Sequence, residues 1–407
     1  MALNIGLDLC DDYITAYEYE DKSMISVPAV ICREKKDDLW YIGEGAYRMA
    51  LSGKGVLTDK LLSLLKKGGT STIARKAYTA EQLLSRMLAA IFWQLLNGRS
   101  VDGIDTLVIT LHHAEKREMD SILNAAASTG IDRSRIRLIS HSDAFVYYTL
   151  SQSKDLYTNM ASLFDLSDES LSFYKMKAVR GISRNSVVVE GTDLEENFRI
   201  GILKKESGSE LGDRIMTDAA KRCLNGDIYS SVMLTGKGFE RTDWAKNFIE
   251  YACRKRRVIY EEGLFAIGAA QYAAVISSGT LPQYLVFSDT SIAAEISMKV
   301  TVGERSVKLV LVSAGQSWYD ARASVEVVPH GQDYLDLDVE PVDKFGVKKS
   351  VRISLEELEP RPDRCTRAAV SLEFEDANTM TVTVRDLGFG EFYPAKDTVI
   401  RESIRLS

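Results

Sequence analysis

Two short alternating hairpin patterns, about 155 residues apart, constrain this chain more than any other feature. The first runs through Leu3–Leu9 (LNIGLDL) and Tyr13–Tyr19 (YITAYEY), with Cys10, Asp11 and Asp12 between them. Alternation on both sides of so short a polar break predicts a strand, a tight turn and a returning strand. The second, Leu163–Leu166 into Leu171–Met176, repeats the pattern. Recurrence of one supersecondary unit at long spacing predicts two related halves.

Between the hairpins the period changes. From Thr79 to Asn97, apolar residues (Leu83, Leu84, Met87, Leu88, Ile91, Phe92, Leu95, Leu96) recur at helical steps. Thr79 and Gln82 are spaced as a capping box, and Gly98 stands where a C-cap is expected. Thr106–Leu111 (TLVITL) is a buried-type strand, Met119, Ile122, Leu123 and Ala126 keep helical phase, and Arg137–Ser140 is again a strand. Strand, helix and strand in succession imply a parallel crossover, and hence an α/β domain. Val232–Leu234 then enters the glycine turn Thr235-Gly236-Lys237-Gly238, with helices expected to about Ser278.

Past Gly279-Thr280-Leu281-Pro282 the pattern is all alternation: Val307–Val312, Ser324–Val328, Val351–Leu355, Val370–Phe374 and Met380–Val384, separated by turn residues. The expected organisation is a duplicated α/β domain over residues 1–281 and an all-β sandwich-like domain over 282–407.

Composition limits the partners. Hydrophobic residues at 45% and charged residues at 27% indicate folded domains. A formal charge of −7 argues against nucleic acid or an anionic membrane as partner. The run Arg254–Arg257 is read as a solvated helix end, where cations are favoured. Five scattered cysteines with no C-x-x-C pair fit a reducing compartment. With no signal-peptide pattern and no apolar run of roughly 20 residues, a cytoplasmic location is expected.

Several strings, in order, resemble the seventy-kilodalton heat-shock chaperones within the actin-like ATPase (ribonuclease H-like) superfamily. They are Val27-Pro28-Ala29-Val30 with Ile42-Gly43-Glu44, Leu107–Thr110 with Ser121–Thr129, Leu234–Gly238, and Ala266-Ile267-Gly268-Ala269-Ala270. Ala369–Val384, with Glu375-Asp376-Ala377-Asn378, is similar to late strands of the chaperone peptide-binding sandwich.

The resemblance implies a cleft for ATP or ADP with Mg²⁺. It assigns Asp8 and Asp165 to the two phosphate hairpins, Lys60 to phosphoryl stabilisation, His141 to the place of a water-positioning glutamate, and Ser170 to that of a threonine. Gly236, Gly238 and Gly268 fall on the nucleoside side. Yet Cys10, Asp11 and Asp12 fill the first turn, and Ser167, Asp168 and Glu169 replace the glycines of the second. Glycine leaves bare backbone for a phosphate, whereas a carboxylate at about 4 Å repels one by roughly 4 kcal/mol at an effective dielectric near 20. The segment from Asp213 to Val232 is also too short for the subdomain that the family inserts there.

The expectation is a non-catalytic chaperone-like protein with no nucleotide cofactor, holding a protein partner through its β-domain. A working ATP-dependent chaperone is one alternative. Another is a Ca²⁺ or Mg²⁺ site made from Asp8, Asp11, Asp12, Asp165, Asp168 and Glu169. His112, His113 and His330 are read as solvated loop histidines, and Trp318, Tyr319 and Tyr334 as packing residues or a peptide-binding patch.

Overall fold

The computed structural model describes residues 3–73, 75–113, 115–168, 170–180, 185–196, 198–279, 283–342 and 347–406. Glu169 of the expected cation site and residues 280–282 of the expected linker lie outside them. The chain divides into two compact units, Met1–Ser288 and Asp289–Ser407.

In the first unit the opening hairpin gains a third strand: β1 (Leu3–Leu9), β2 (Tyr13–Glu18) and β3 (Ser23–Pro28). A small sheet follows, of β4 (Ile31–Glu34), β5 (Trp40–Ile42) and β6 (Gly55–Thr58) with α1 (Gly43–Leu51). Next come α2 (Leu61–Lys66) and a ribbon of β7 (Thr70–Ile73) and β8 (Lys76–Thr79). Helix α3 (Ala80–Leu95) starts on the expected Thr79–Gln82 capping box, and β9 (Ile104–Leu111), α4 (Lys116–Ala127), β10 (Ile136–Ser140) and α5 (His141–Ser151) complete the half. The second half runs β11 (Met160–Leu166), β12 (Leu171–Val179), β13 (Asn185–Asp193), α6 (Glu206–Cys223), β14 (Tyr229–Thr235), α7 (Lys246–Ala252), β15 (Arg257–Tyr260), α8 (Leu264–Ser277) and β16 (Tyr284–Phe287).

The two main sheets repeat one order, β10-β9-β1-β2-β3 and β15-β14-β11-β12-β13-β16. In each, an antiparallel three-strand meander is flanked by two strands parallel to its first strand. Strand β16 extends the second sheet by pairing in parallel with β13. The unit therefore ends seven residues beyond the expected 281, because a strand reached through the linker hydrogen-bonds backward into the α/β sheet.

Alternation places successive residues of β11 on opposite faces of the sheet, and both faces are covered. Leu163 joins Phe145, Met233 and Phe265 in one core, while Phe164 joins Met216, Leu234 and Phe248 in the other. Helix α8 is alanine-rich because it lies very close to both β1 and α5. A Cβ on Gly6 would come 2.0 Å from the Ala266 carbonyl oxygen, and one on Gly268 would come 2.0 Å from that of Ala144.

The second unit is β-rich, with two antiparallel four-stranded sheets. One is β18 (Arg305–Val312), β17 (Ala294–Val302), β20 (Tyr334–Pro341) and β21 (Lys349–Ser354), and the other is β19 (Ala323–Val327), β22 (Ala368–Asp376), β23 (Thr379–Asp386) and β24 (Val399–Arg405). Alternate residues such as Leu335, Leu337 and Val339, or Met380, Val382 and Val384, are buried. Arg361 and Asp386 form a two-pronged ion pair (2.8 and 2.6 Å) with side chains 2% and 1% exposed. Backbone N–H groups of Gly388 and Lys396 also donate to that carboxylate, so the buried charge is satisfied. Among the described residues, no helix is long and apolar enough to cross a membrane.

Candidate functional site

Asp8 and Asp165 occupy equivalent positions, each one residue before the end of the first meander strand of its sheet. Each is in register with a threonine of the parallel neighbour, Thr110 and Thr235 respectively. The carboxyl ends of parallel strands are where open α/β sheets hold ligands. A cleft of about 570 Å³ lies there, and Asp8, Asp11, Asp12, Lys60, His141, Asp165, Asp168, Ser170 and Gly236 line it, together with His112 and His113. Gly238 and Gly268 are not among the lining residues. A Cβ on Gly238 would strike the Leu166 side chain at 2.4 Å, so both glycines serve packing. Gly236 does line the cleft. Its φ of +88°, and the 2.5 Å that a Cβ would leave to Asp165 Oδ1, require glycine.

His141 is the first residue of α5, behind a capping box of Ser140 and Asp143. The cap fixes its direction. The ring is 3% exposed, stacks on Phe265 at 3.8 Å between centroids, and donates from Nε2 to Asp8 Oδ1 at 2.8 Å. The Cys10 thiol also reaches Asp8 Oδ1, at 3.5 Å. One oxygen of the first carboxylate is thus engaged by protein. Burial and the neighbouring Asp8 and Asp165 charges push the Cys10 thiol well up, so it is no thiolate nucleophile. Burial likewise pushes Asp165 up to about 6, with the Asp8 and Asp193 charges adding and His141 opposing.

The acidic turns are tied down locally. Asp11 caps α2, its carboxylate accepting from the backbone N–H of Leu62 (2.9 Å) and of Ser63 (3.2 Å). Lys60 precedes that helix in a left-handed conformation, with φ 50° and ψ 50°. Asp168 accepts from the Ile200 N–H at 3.2 Å. In the first turn the Cys10 N–H bonds the Tyr13 carbonyl at 3.1 Å. In the second, the Ser167 N–H bonds the Ser170 carbonyl at 2.9 Å, and the Ser170 N–H bonds Ser167 Oγ at 3.1 Å. These bonds close the base of each turn. Of the carboxylates expected to share a cation, Asp8, Asp11 and Asp168 are held by different partners, His141, the start of α2 and the Ile200 N–H. Lys237 and Tyr13 both line the cleft, the ammonium 3.0 Å from the centroid of the ring. Eight carboxylate side chains and two lysines line the cleft, which makes it strongly unfavourable to polyanions.

Two of the histidines read as solvated, His112 and His113, belong to a second constellation. His112 Nε2 lies 2.9 Å from Asp193 Oδ1 and its Nδ1 lies 3.1 Å from the Tyr174 hydroxyl, while His113 Nε2 lies 3.4 Å from Asp193 Oδ2. The Ser172 hydroxyl donates to Asp193 Oδ1 at 2.8 Å. Burial, together with the nearby His141 and His113, lowers the His112 imidazole to about 4 against the pull of Asp193. Adjacent histidines directly after the TLVITL strand were the available signal. Their partner Asp193 lies 80 positions away from His113, where no local pattern points to it.

Arg254 and His330 are exposed, as expected, with side chains 64% and 60% accessible, whereas Trp318 is packed. Arg254 and Arg256 follow α7 and lie over the Tyr251 ring. Trp318 is 6% exposed, and Tyr334 stacks under the Arg352 guanidinium at 3.7 Å. His330 is tied to Asp363 at 2.6 Å.

Fold and site together define a mixed α/β protein with two like-ordered sheets and an acidic cleft at their strand ends, continued by a β-rich unit. Residues 12–289 match the C-terminal part of a family of unknown function, DUF5716, and the chain belongs to that family. Residues 291–406 match a domain of unknown function, DUF8552, so the two matches meet where the structure divides. No curated protein matches the chain.

Proposed function

We propose that this protein is a non-catalytic relative of the seventy-kilodalton heat-shock chaperones, built on the actin-like ATPase (ribonuclease H-like) fold. Its α/β unit serves as a fixed platform, and its β-rich unit, of sandwich type, holds a protein partner without a nucleotide cycle. The repeated sheet order and the paired Asp8 and Asp165 support the ancestry. The observation that carries the loss of catalysis is the acidic lining of the cleft, eight carboxylate side chains against two lysines, with His141 bonded to Asp8. A phosphate chain entering this cleft meets carboxylates at both turns. Asp8, Lys60 and Asp165 still face one cleft, which keeps ATP with Mg²⁺ as the reading to beat.

For the partner, edge strand β18 supports addition of an extended segment. It exposes Val307 (44%) and Val310 (43%) beside an open backbone edge. Calorimetry of the full chain with ATP, ADP and Mg²⁺ is expected to give no Kd below about 10 μM. Photo-crosslinking from β18 in the native cell should capture a partner that Val307→Lys with Val310→Lys releases and nucleotide does not. Tight nucleotide binding with hydrolysis, or a partner captured only with ATP, overturns the proposal.

A further inference from the structure

The geometry points to a binding site for one divalent first-row transition ion of the Zn²⁺ class, formed by His112 Nε2, His113 Nε2 and Asp193. The three groups offer ligand atoms within 4.8 Å of one another. Zinc holds imidazole nitrogen and carboxylate oxygen at about 2.0–2.2 Å in tetrahedral sites, which sets ligand atoms about 3.3 Å apart. The observed His112–Asp193 and His113–Asp193 separations, 2.9 and 3.4 Å, bracket that edge. Two imidazoles with one carboxylate select a transition ion over Mg²⁺ or Ca²⁺, which take oxygen ligands.

Partners behind the ligands separate this cluster from an accidental meeting of polar side chains. Metal-bound histidines carry a hydrogen-bond partner on the other ring nitrogen, and ligating carboxylates are themselves hydrogen-bonded. Here the Tyr174 hydroxyl holds His112 Nδ1 and the Ser172 hydroxyl holds Asp193 Oδ1. Both supports are side chains of β12, the strand paired with the Asp193 strand β13, and Tyr174 is 3% exposed. Each imidazole must shift its proton from Nε2 to Nδ1 when the ion enters, since both Nε2 atoms face Asp193 oxygens without metal. Without metal, His112 Nε2–H donates to Asp193 and Nδ1 accepts from Tyr174. With metal, the ring takes the Nδ1–H tautomer and donates to the Tyr174 oxygen, which serves in either role. Both histidines line the cleft, so the fourth ligand comes from water or from a small anion there. The inference rests on these side chains alone and holds whether or not the chaperone-like reading does.

The other grouping, Asp8, Cys10 and His141, is the natural competitor. The test is calorimetric titration of chelator-treated full chain with Zn²⁺, alone and against excess Mg²⁺ and Ca²⁺. Expected are one ion per chain, a Kd of about 1 μM or tighter, a loss of at least about tenfold in His113→Ala and Asp193→Asn, and a loss of about tenfold in Tyr174→Phe. Cys10→Ala should bind as the parent does. His113 has a side chain 68% exposed, so its variant folds and decides the matter even if Asp193→Asn does not. Absence of stoichiometric binding, binding untouched by His113→Ala, loss in Cys10→Ala instead, or equal competition by Mg²⁺ each overturns the assignment.

Discussion

Replacing Asp165 by asparagine should stabilise the protein at neutral pH while changing little in acid. The side chain is 8% exposed, and burial with the neighbouring carboxylates raises it from 3.8 to about 6. The folded protein therefore keeps a proton that the unfolded chain releases. Its contribution is full below about pH 4 and is lost as pH rises through about 6. At roughly 1.4 kcal/mol per pH unit, a carboxyl held about two units high weakens the fold by about 3 kcal/mol once ionised. Asparagine has nearly the same shape and no charge, so the variant escapes that cost. At about 2 °C per kcal/mol for a unit of this size, its Tm at pH 7 should exceed the parent's by about 6 °C. The gap should shrink toward zero at pH 4. The difference between the two stability profiles reports the Asp165 charge together with its coupling to His141, Asp8 and Asp193. Equal stability at pH 7, or a gap of the same size at pH 4, would refute charge burial as the cause.

Asp11→Ala should cost about 1–2 kcal/mol, because α2 loses its N-terminal cap; thermal unfolding measures it. In the same series Asp11→Ala with Asp12→Gly and Asp168→Gly removes three of the eight lining carboxylates and should raise ATP affinity, and no gain by calorimetry would show that charge repulsion is not what excludes nucleotide. Arg361→Ala should destabilise the β-rich unit by about 3–5 kcal/mol by leaving Asp386 buried and unpaired; hydrogen exchange should show the loss in β22, β23 and β24 while β1 and β11 keep their protection.

Much of the fold is written in local pattern. Helical spacing and the Thr79–Gln82 box mark α3, and alternation marks β1, β2, β11 and β12 together with β18, β19, β21, β22 and β23. Such signals survive because period and caps depend on neighbours a few residues away. The acidic turns are equally legible as carboxylates that stand where glycine is expected.

What those carboxylates do was decided by tertiary structure. Asp11 meets the start of α2 about fifty positions later, and Asp168 meets Ile200. Gly268 lies where α8 touches α5, so its missing side chain serves packing against Ala144. His112 and His113 meet Asp193 only because β9 and β13 end near one another, which depends on strand order and register across two sheets. The last strand of the α/β unit, β16, follows the same logic: its four residues could pair with either unit, and only parallel pairing with β13 assigns it to the first. Sequence by itself determined the elements, their periods and the chemistry available at each turn. Which distant side chains come within hydrogen-bonding reach follows from how sheets order and helices pack, and no local periodicity carries that information.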